Sequence, residues 1–479
     1  MLDVTPAPHK LDRLIPFTGS ARAEQLTDAV AASRPLLDGR TVWNVNSTAA
    51  GGGVAEMLAQ LVAYGLGAGV DTRWLVFEGN PEFFALTKRL HNRLHGTAGD
   101  GGPLGVTEHE LFLQTTRPEV EAILSRIQPG DLVIVHDPQP AGLCEAIANF
   151  GAVPIWRCHI GMDDPNPYTN EGWDFLQPYV SKAHAMVFSR GTYAPTWAAP
   201  EDVTVIAPAL DPLSAKNAPM SAVAASAILG AIGVLDTDPT GANYMRDDGT
   251  TRTMTRRAII VGDEPRPGSD AHLVVQVSRW DRLKDMPGVL SGFLSGVAPH
   301  HPQAHLALVG PSTVGVVDDP EGQQVLDDCT EIWHALDEGL RGRVSLVSLP
   351  MDDAQENAAM VNAVQRHASV VAQKSLMEGF GLTVAEAMWK ARPMVASMVG
   401  GISDQVVDGV TGSLLPDPAD LDAFGAAVLA LLADPQLAHD FGERGEQRVR
   451  DVFLPDRQLG QWVELLTRMA ARMQRSTVG

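Results

Sequence analysis

The chain has 479 residues, 45% of them hydrophobic and 20% charged, with a formal net charge of −22. That composition predicts a soluble globular protein of two to three domains, and the excess of carboxylates excludes nucleic acid and anionic membrane surfaces as general partners, though not a local basic pocket. Cys144, Cys158 and Cys329 lack CxxC spacing and suit a reducing, cytoplasmic compartment, residues 1–20 carry no signal pattern, and the longest apolar run, 222–235, is too short for membrane insertion.

Residues 1–40 read as a polar decoration with a helical stretch at 20–32. Residues 41–46 (TVWNVN) predict a short strand ending at Asn46, followed by the triple glycine 51–53 and a periodic helix from Val54. Strand, glycine turn and helix is a phosphate-cradling arrangement, so Gly52 and Gly53 are candidates for a phosphate. A tight turn for helix–sheet packing explains the same letters, and neither GxGxxG nor a P-loop is present. Residues 73–78 predict the next strand, ending in Glu78, and 81–96 a helix. His91 and His95 on it lack further ligands at metal spacing and read as partly exposed polar residues.

The unbroken apolar run 131–135 predicts a strand buried on both faces. Its carboxyl end delivers His136, Asp137 and Gln139, where open parallel sheets bind ligands. They are candidates for a ligand's hydroxyls, with loop capping as the competing reading. Residues 153–156 form another strand ending in Arg157, Cys158 and His159, and Trp173 and Asp174 are weaker sugar-facing candidates on the helix beyond. Strands at 185–188 and 203–206 complete a first domain, and 208–212 reads as a hinge. Residues 236–270, rich in Asp, Thr, Gly, Pro and Arg, read as an inserted solvated loop with a basic patch at 251–257. A strand at 272–277 opens a second domain and delivers Arg279 and Lys284, a planar fork and a point charge suited to a diphosphate. Further strands fall at 304–309, 343–346, 370–372 and 393–396. The adjacent pairs Asp318-Asp319, Asp327-Asp328 and Asp352-Asp353 read as helix-start or surface charges, and no metal site is expected. Leu459, Trp462, Val463 and Leu466 recur at helical spacing in the last element.

The most informative stretch is 376–390, LMEGFGLTVAEAMWK. Two glycines in three residues make a loop at 378–382, and Thr383 with Glu386 reads as a capping box opening a helix. A loop feeding a helix start presents unpaired amides to an anion; an ordinary strand–loop–helix joint is the alternative.

Glu378-x7-Glu386 in this setting resembles the signature of retaining glycosyltransferases of family four, which have the GT-B fold. QVSRWDRLK (276–284) and VGGISDQVVDGVTG (399–412) are similar to further segments of that family. NVNSTAAGGGVAEML (44–58), FEGNPEFFALTKRLHNRLHG (77–96), HDPQPAGL (136–143), WRCHI (156–160) and PALDPLSAKN (208–217) resemble its trehalose-forming branch. The resemblance implies two Rossmann-like α/β domains facing across a cleft: 1–208 on the acceptor side with a helix at 456–479 returning to it, and 209–455 binding the nucleotide sugar. It implies transfer of glucose from a nucleoside-diphosphate glucose to glucose, giving α,α-trehalose. Glu378 and His159 would lie by the donor sugar, Arg279 and Lys284 by the diphosphate, and Glu386 by the ribose. Amides of Gly379, Phe380, Gly381 and Leu382, with Thr383, would complete the donor site. Asn46, Glu78, Asp137 and Gln139 are acceptor candidates. No cofactor or metal is expected, and a homodimer is allowed. A trehalose phosphorylase, a different acceptor and a non-catalytic nucleotide-sugar sensor remain as alternatives.

Overall fold

Residues 132–135 show no polar alternation because both faces of their strand are covered. Leu132 and Ile134 join a cluster with Ile155, Val187 and Trp462, whereas Val133 and Val135 point to the opposite cluster with Trp43, Leu75, Phe112 and Trp156. Each large side chain so buried contributes about 1.5–3 kcal/mol of hydrophobic stabilisation before entropy is counted. The computed structural model describes residues 1–49, 53–313 and 320–478. The chain divides into two units, Met1–Ala209 with Phe453–Gly479, and Leu210–Val452.

The first unit is built on β1 (Leu2–Val4), β2 (Val42–Asn46), β3 (Thr72–Val76), β4 (Leu132–His136), β5 (Val153–Cys158), β6 (Ala185–Phe188) and β7 (Val203–Val205). Their order in the sheet is β1-β3-β2-β4-β5-β6-β7, with β1 antiparallel and the others parallel. The last helix, Pro455–Val478, lays Trp462, Leu465, Leu466 and Met469 on one face of this sheet. Beside it runs the helix Ser20–Leu37, joined by the paired bonds from Arg22 to Asp456 at 2.7 and 2.8 Å.

The N-terminal segment is therefore part of the sheet and its covering layer, which corrects the reading of 1–40 as a decoration. Leu26, Val30, Ser33 and Leu37 are buried along that helix, so the helix extends past residue 32 to keep its apolar stripe covered. The corresponding reading of His95 also changes: it is buried, in edge contact with His91 at 4.8 Å. Trp173 is core, meeting Trp156 and Phe188 edge-on at 5.9 and 6.2 Å, and does not face a sugar.

The second unit carries β8 (Asn243–Met245), β9 (Thr251–Thr253), β10 (Ile259–Val261), β11 (His272–Val277), β12 (Ala304–Pro311), β13 (Val344–Leu349), β14 (Val370–Gln373), β15 (Met394–Ser397) and β16 (Ser413–Leu415). Its main sheet runs β10-β13-β12-β11-β14-β15-β16, parallel except for β10. The segment 236–270 is not the solvated loop expected from composition. It forms the β8–β9 hairpin and supplies β10 as an edge strand. It is also latched to the helix Ala354–His367. The buried Glu356 accepts from the amides of Thr255 (2.5 Å) and Arg256 (2.9 Å) and from the Arg256 guanidinium, and Arg246 pairs with Asp353 at 3.1 Å. Strands of three residues are too short for a period of two to show, and Glu356 lies 100 residues from its partner.

Among the described residues no single helix is long and apolar enough to cross a membrane. The three cysteines are buried and unpaired.

Candidate active site

In the second unit the carboxyl ends of the neighbouring parallel strands β11 and β14 deliver two loops, 278–285 and 374–381. The loops are stitched together by the Leu376 amide donating to the Leu283 carbonyl (2.8 Å) and by the fully buried Lys374 ammonium on the Asp285 carboxylate. Asp285 adopts φ 51°, a cost tolerated because its side chain also caps the helix Met286–Gly292. On this frame Lys284 Nζ meets Glu378 Oε2 at 2.7 Å, both side chains largely buried, and Ser375 Oγ lies 3.4 Å from the same oxygen. Arg279 sits at the rim, with its side chain 47% exposed and donating to Asp281 at 3.0 Å. The structure thus brings Arg279, Lys284 and Glu378 to one strand-end region.

The loop after Glu378 is held by its carbonyls. Gln405 Nε2 donates to the carbonyls of Phe380 and Gly381, and the Gly401 amide donates to Gly379 O. A Cβ at Gly401 would stand 2.5 Å from Phe380 Cα, so only glycine fits there. Gly381, at φ 84°, precedes the helix Leu382–Trp389, which has no side-chain cap. The first amides of a helix lack partners within it, and here the Val384 amide reaches back to the Gly381 carbonyl at 3.0 Å. The expected capping box of Thr383 and Glu386 does not form. The helix starts two residues early, Thr383 Oγ1 donates to Gln373 Oε1 at 2.9 Å, and Glu386 is buried beside Lys216 Nζ and Gln365 Nε2, each at 3.4 Å. Glu386 therefore has no role in capping. Gly53 opens the helix Gly53–Gly67 of the first unit; Gly51 and Gly52 lie outside the described residues, as do Asp318 and Asp319.

In the first unit a second group gathers at the carboxyl ends of β2, β4 and β5. Asn44 Nδ2 donates to the Arg73 carbonyl (3.4 Å), leaving its Oδ1 to accept from His136 Nε2–H (3.2 Å). His136 Nδ1 then accepts from His159 Nε2–H at 3.2 Å, the rings stacked at 5.5 Å. His159 Nδ1 is left as a buried lone pair with no partner among the described residues. Desolvation, and next the Arg157 guanidinium, hold both imidazoles neutral: His136 is pushed down to about 3 and His159 well below its ordinary value. The half-buried Asp137 accepts from the His159 amide at 2.8 Å and stands at φ 63°, strain that marks a constrained position. Burial pushes its carboxyl up to about 7, against the opposing pull of that amide and Arg157.

The remaining acceptor candidates fare differently. Asn46 is buried, its amide used on Trp74 Nε1 and the Thr48 carbonyl, both at 2.7 Å. Glu78 is exposed and takes the Met1 ammonium at 2.5 Å. Gln139 is half-buried next to Asp137 in sequence. Among the described residues no three His, Cys, Asp or Glu stand together as a metal site.

Two family models match, "Trehalose synthase, N-terminal domain" over residues 44–195 and "Glycosyl transferases group 1" over 264–448. The trehalose synthase of Thermococcus litoralis is 34% identical over 447 residues, covering 92% of this chain and 94% of that protein. The chain belongs to the trehalose synthase family. Its fold is GT-B: trehalose-6-phosphate synthase OtsA superposes with a TM-score of 0.65 at 14% identity over 91% of this chain and 99% of that one. The Anabaena protein Alr3699/HepE, solved with UDP-glucose, does so at 0.55 and 14% over 91% and 99%. A trehalose synthase relative of this kind is a hexosyltransferase.

The groups that sequence reasoning missed are the supports: Asn44 behind His136, Lys374 with Asp285 beneath Lys284, and Lys216 and Gln365 at Glu386. Lys216 lies within the 208–217 segment that carried the family resemblance. The others stand in runs whose apolar or helical pattern hides a single buried polar residue.

Proposed function

We propose that this protein transfers glucose from a nucleoside-diphosphate glucose to free glucose with retention, forming α,α-trehalose. The observation that carries this reading is the Lys284–Glu378 pair at 2.7 Å, at the ends of adjacent strands and beside a glycine loop that opens an uncapped helix. A fixed cation next to a carboxylate suits a substrate that is anionic at the leaving group and hydroxylated at the sugar. Arg279, Lys284 and the amides of Gly379 to Leu382 stabilise the departing diphosphate by electrostatic preorganisation. Glu378 accepts from the sugar's hydroxyls, and Glu386 from the ribose.

His159, fixed in one tautomer by His136, holds the donor sugar with a neutral ring. Asp137 and Gln139 receive the acceptor; Asn46 and Glu78, already engaged elsewhere, are weaker choices. Two carboxylates flanking one anomeric carbon would suit a double displacement, but Glu386 is assigned to the ribose. In the front-face step the C1–O bond to the diphosphate breaks. A leaving phosphate oxygen takes the proton of the acceptor hydroxyl, and that hydroxyl's oxygen bonds C1 from the same face.

The test is nucleoside diphosphate release from ADP-, UDP- and GDP-glucose in turn, with and without glucose. Glucose-dependent release by the wild type from at least one donor, lost in Glu378→Gln, is expected. Bound nucleotide with no release from any donor would contradict transfer and favour a sensor.

A further inference from the structure

Glu386 rests on a buried polar cluster that the reaction itself does not call for. Lys390, one turn beyond it, is 3% exposed, and its ammonium has three acceptors: Gln365 Oε1 at 2.7 Å, Asn217 Oδ1 at 3.0 Å and the Glu386 carbonyl at 3.1 Å. An ammonium has three protons to give, so its donor capacity is fully used. Because Gln365 Oε1 is taken by Lys390, the amide is locked with Nε2 turned to Glu386 Oε2. The other carboxylate oxygen meets Lys216. Lys216 and Asn217 belong to one short segment, itself tied down by Asn362 Nδ2 on the carbonyls of Ala215 and Ala218 and by Trp389 Nε1 on Asn217 O.

A buried charge of this kind adds little net stability over an apolar side chain of equal volume, and its better-attested use is to specify one arrangement. Here the arrangement specified is that of a carboxylate with one oxygen on each of two neighbours and lone pairs left over.

We propose that Lys390 is a positioning residue for the nucleotide ribose, acting through Gln365 and Asn217 to hold Glu386 and Lys216 in the geometry that receives the ribose hydroxyls. The inference rests on the assignment of Glu386 to the ribose. Burial, the largest influence, pushes the Lys390 ammonium down to about 7, with Arg366 and Lys216 lowering it further and Glu386 opposing. Those three are the charged groups that bear on it.

The experiment compares binding of ADP, UDP and GDP with their 2′-deoxy and 3′-deoxy counterparts to the full chain by calorimetry. The readout is the ratio of dissociation constants, which does not depend on the active fraction. In the wild type the ribose hydroxyls are expected to improve binding of the preferred nucleotide by about tenfold or more, the value of one or two charge-assisted hydrogen bonds. Lys390→Met is expected to bring that ratio close to one while leaving the binding of inorganic diphosphate unchanged. A variant that keeps the wild-type ratio overturns the proposal. If Lys390→Met does not fold, Lys390→Gln carries the same test, since it removes the ammonium that engages Gln365, Asn217 and the Glu386 carbonyl together; a wild-type ratio in that variant overturns the proposal. A wild type that binds nucleotide without distinguishing the deoxy forms contradicts the ribose assignment of Glu386 instead, and the proposal falls with it.

Discussion

Lys284 and Glu378 are held by neighbours on both loops, whereas Arg279 stands at the rim, donating to Asp281. Its removal therefore separates catalysis from folding. Arg279→Ala is expected to lower kcat/KM for the donor by roughly 100- to 1000-fold, the usual loss for one preorganised donor to a developing anion, with Tm unchanged in a thermal melt. Asp137 gives a test by pH. Its carboxyl titrates near 7 in the folded chain and near 3.9 when unfolded. Between those values the folded state keeps a proton that the unfolded state has lost, so this group's stabilisation is present in acid and disappears as pH rises to 7. His136 and His159 act oppositely: both stay neutral when folded, so they destabilise the fold as pH falls through about 6.5. Asp137→Asn removes only the first contribution. Denaturant titrations from pH 4 to 7 should then show stability rising more steeply with pH than in the wild type. An identical slope would contradict a carboxyl held protonated by burial at that position. At this scale the sequence singled out Glu378, Glu386, Arg279 and Lys284 through their places in segments that resemble the family's motifs. It hid their supports: a lysine such as Lys374 or Lys390 looks solvent-exposed until the fold buries it.

The elements of both sheets were legible wherever an apolar run was long enough to be buried on two faces, as at β4 and β11. They were not legible where three residues borrow their order from elsewhere, as in β1, β8, β9 and β10. The start of the helix Leu382–Trp389 was misread because Thr383 has the chemistry of a cap, while the αL glycine before it already ends the loop and Gln373 competes for the hydroxyl. Two predictions belong to this scale. Glu356→Gln should lower stability, since the carboxylate that receives the Thr255 and Arg256 amides and the Arg256 guanidinium is lost, seen as a lower denaturation midpoint. Gly401→Ala must push the loop at Phe380; the variant should fold, with donor kcat/KM reduced about tenfold or more as the loop's amides shift by fractions of an ångström.

For the whole molecule, the family resemblance carried by separate motifs anticipated both the GT-B fold and the trehalose synthase family that the comparisons establish. Donor base and acceptor were not legible in it, since the roles proposed for the motif residues concern phosphate, ribose and sugar, groups that every nucleoside-diphosphate glucose shares. The account's central claim concerns bond formation, and its most direct test follows the transferred carbon. Donor glucose labelled with 13C at C1, supplied on the nucleotide that the release assay selects, is incubated with unlabelled glucose and the product read by NMR. The account predicts a disaccharide with both anomeric carbons α and 1,1-linked, the label in one ring. A β anomeric signal, a different linkage, or label appearing only as free glucose would contradict it.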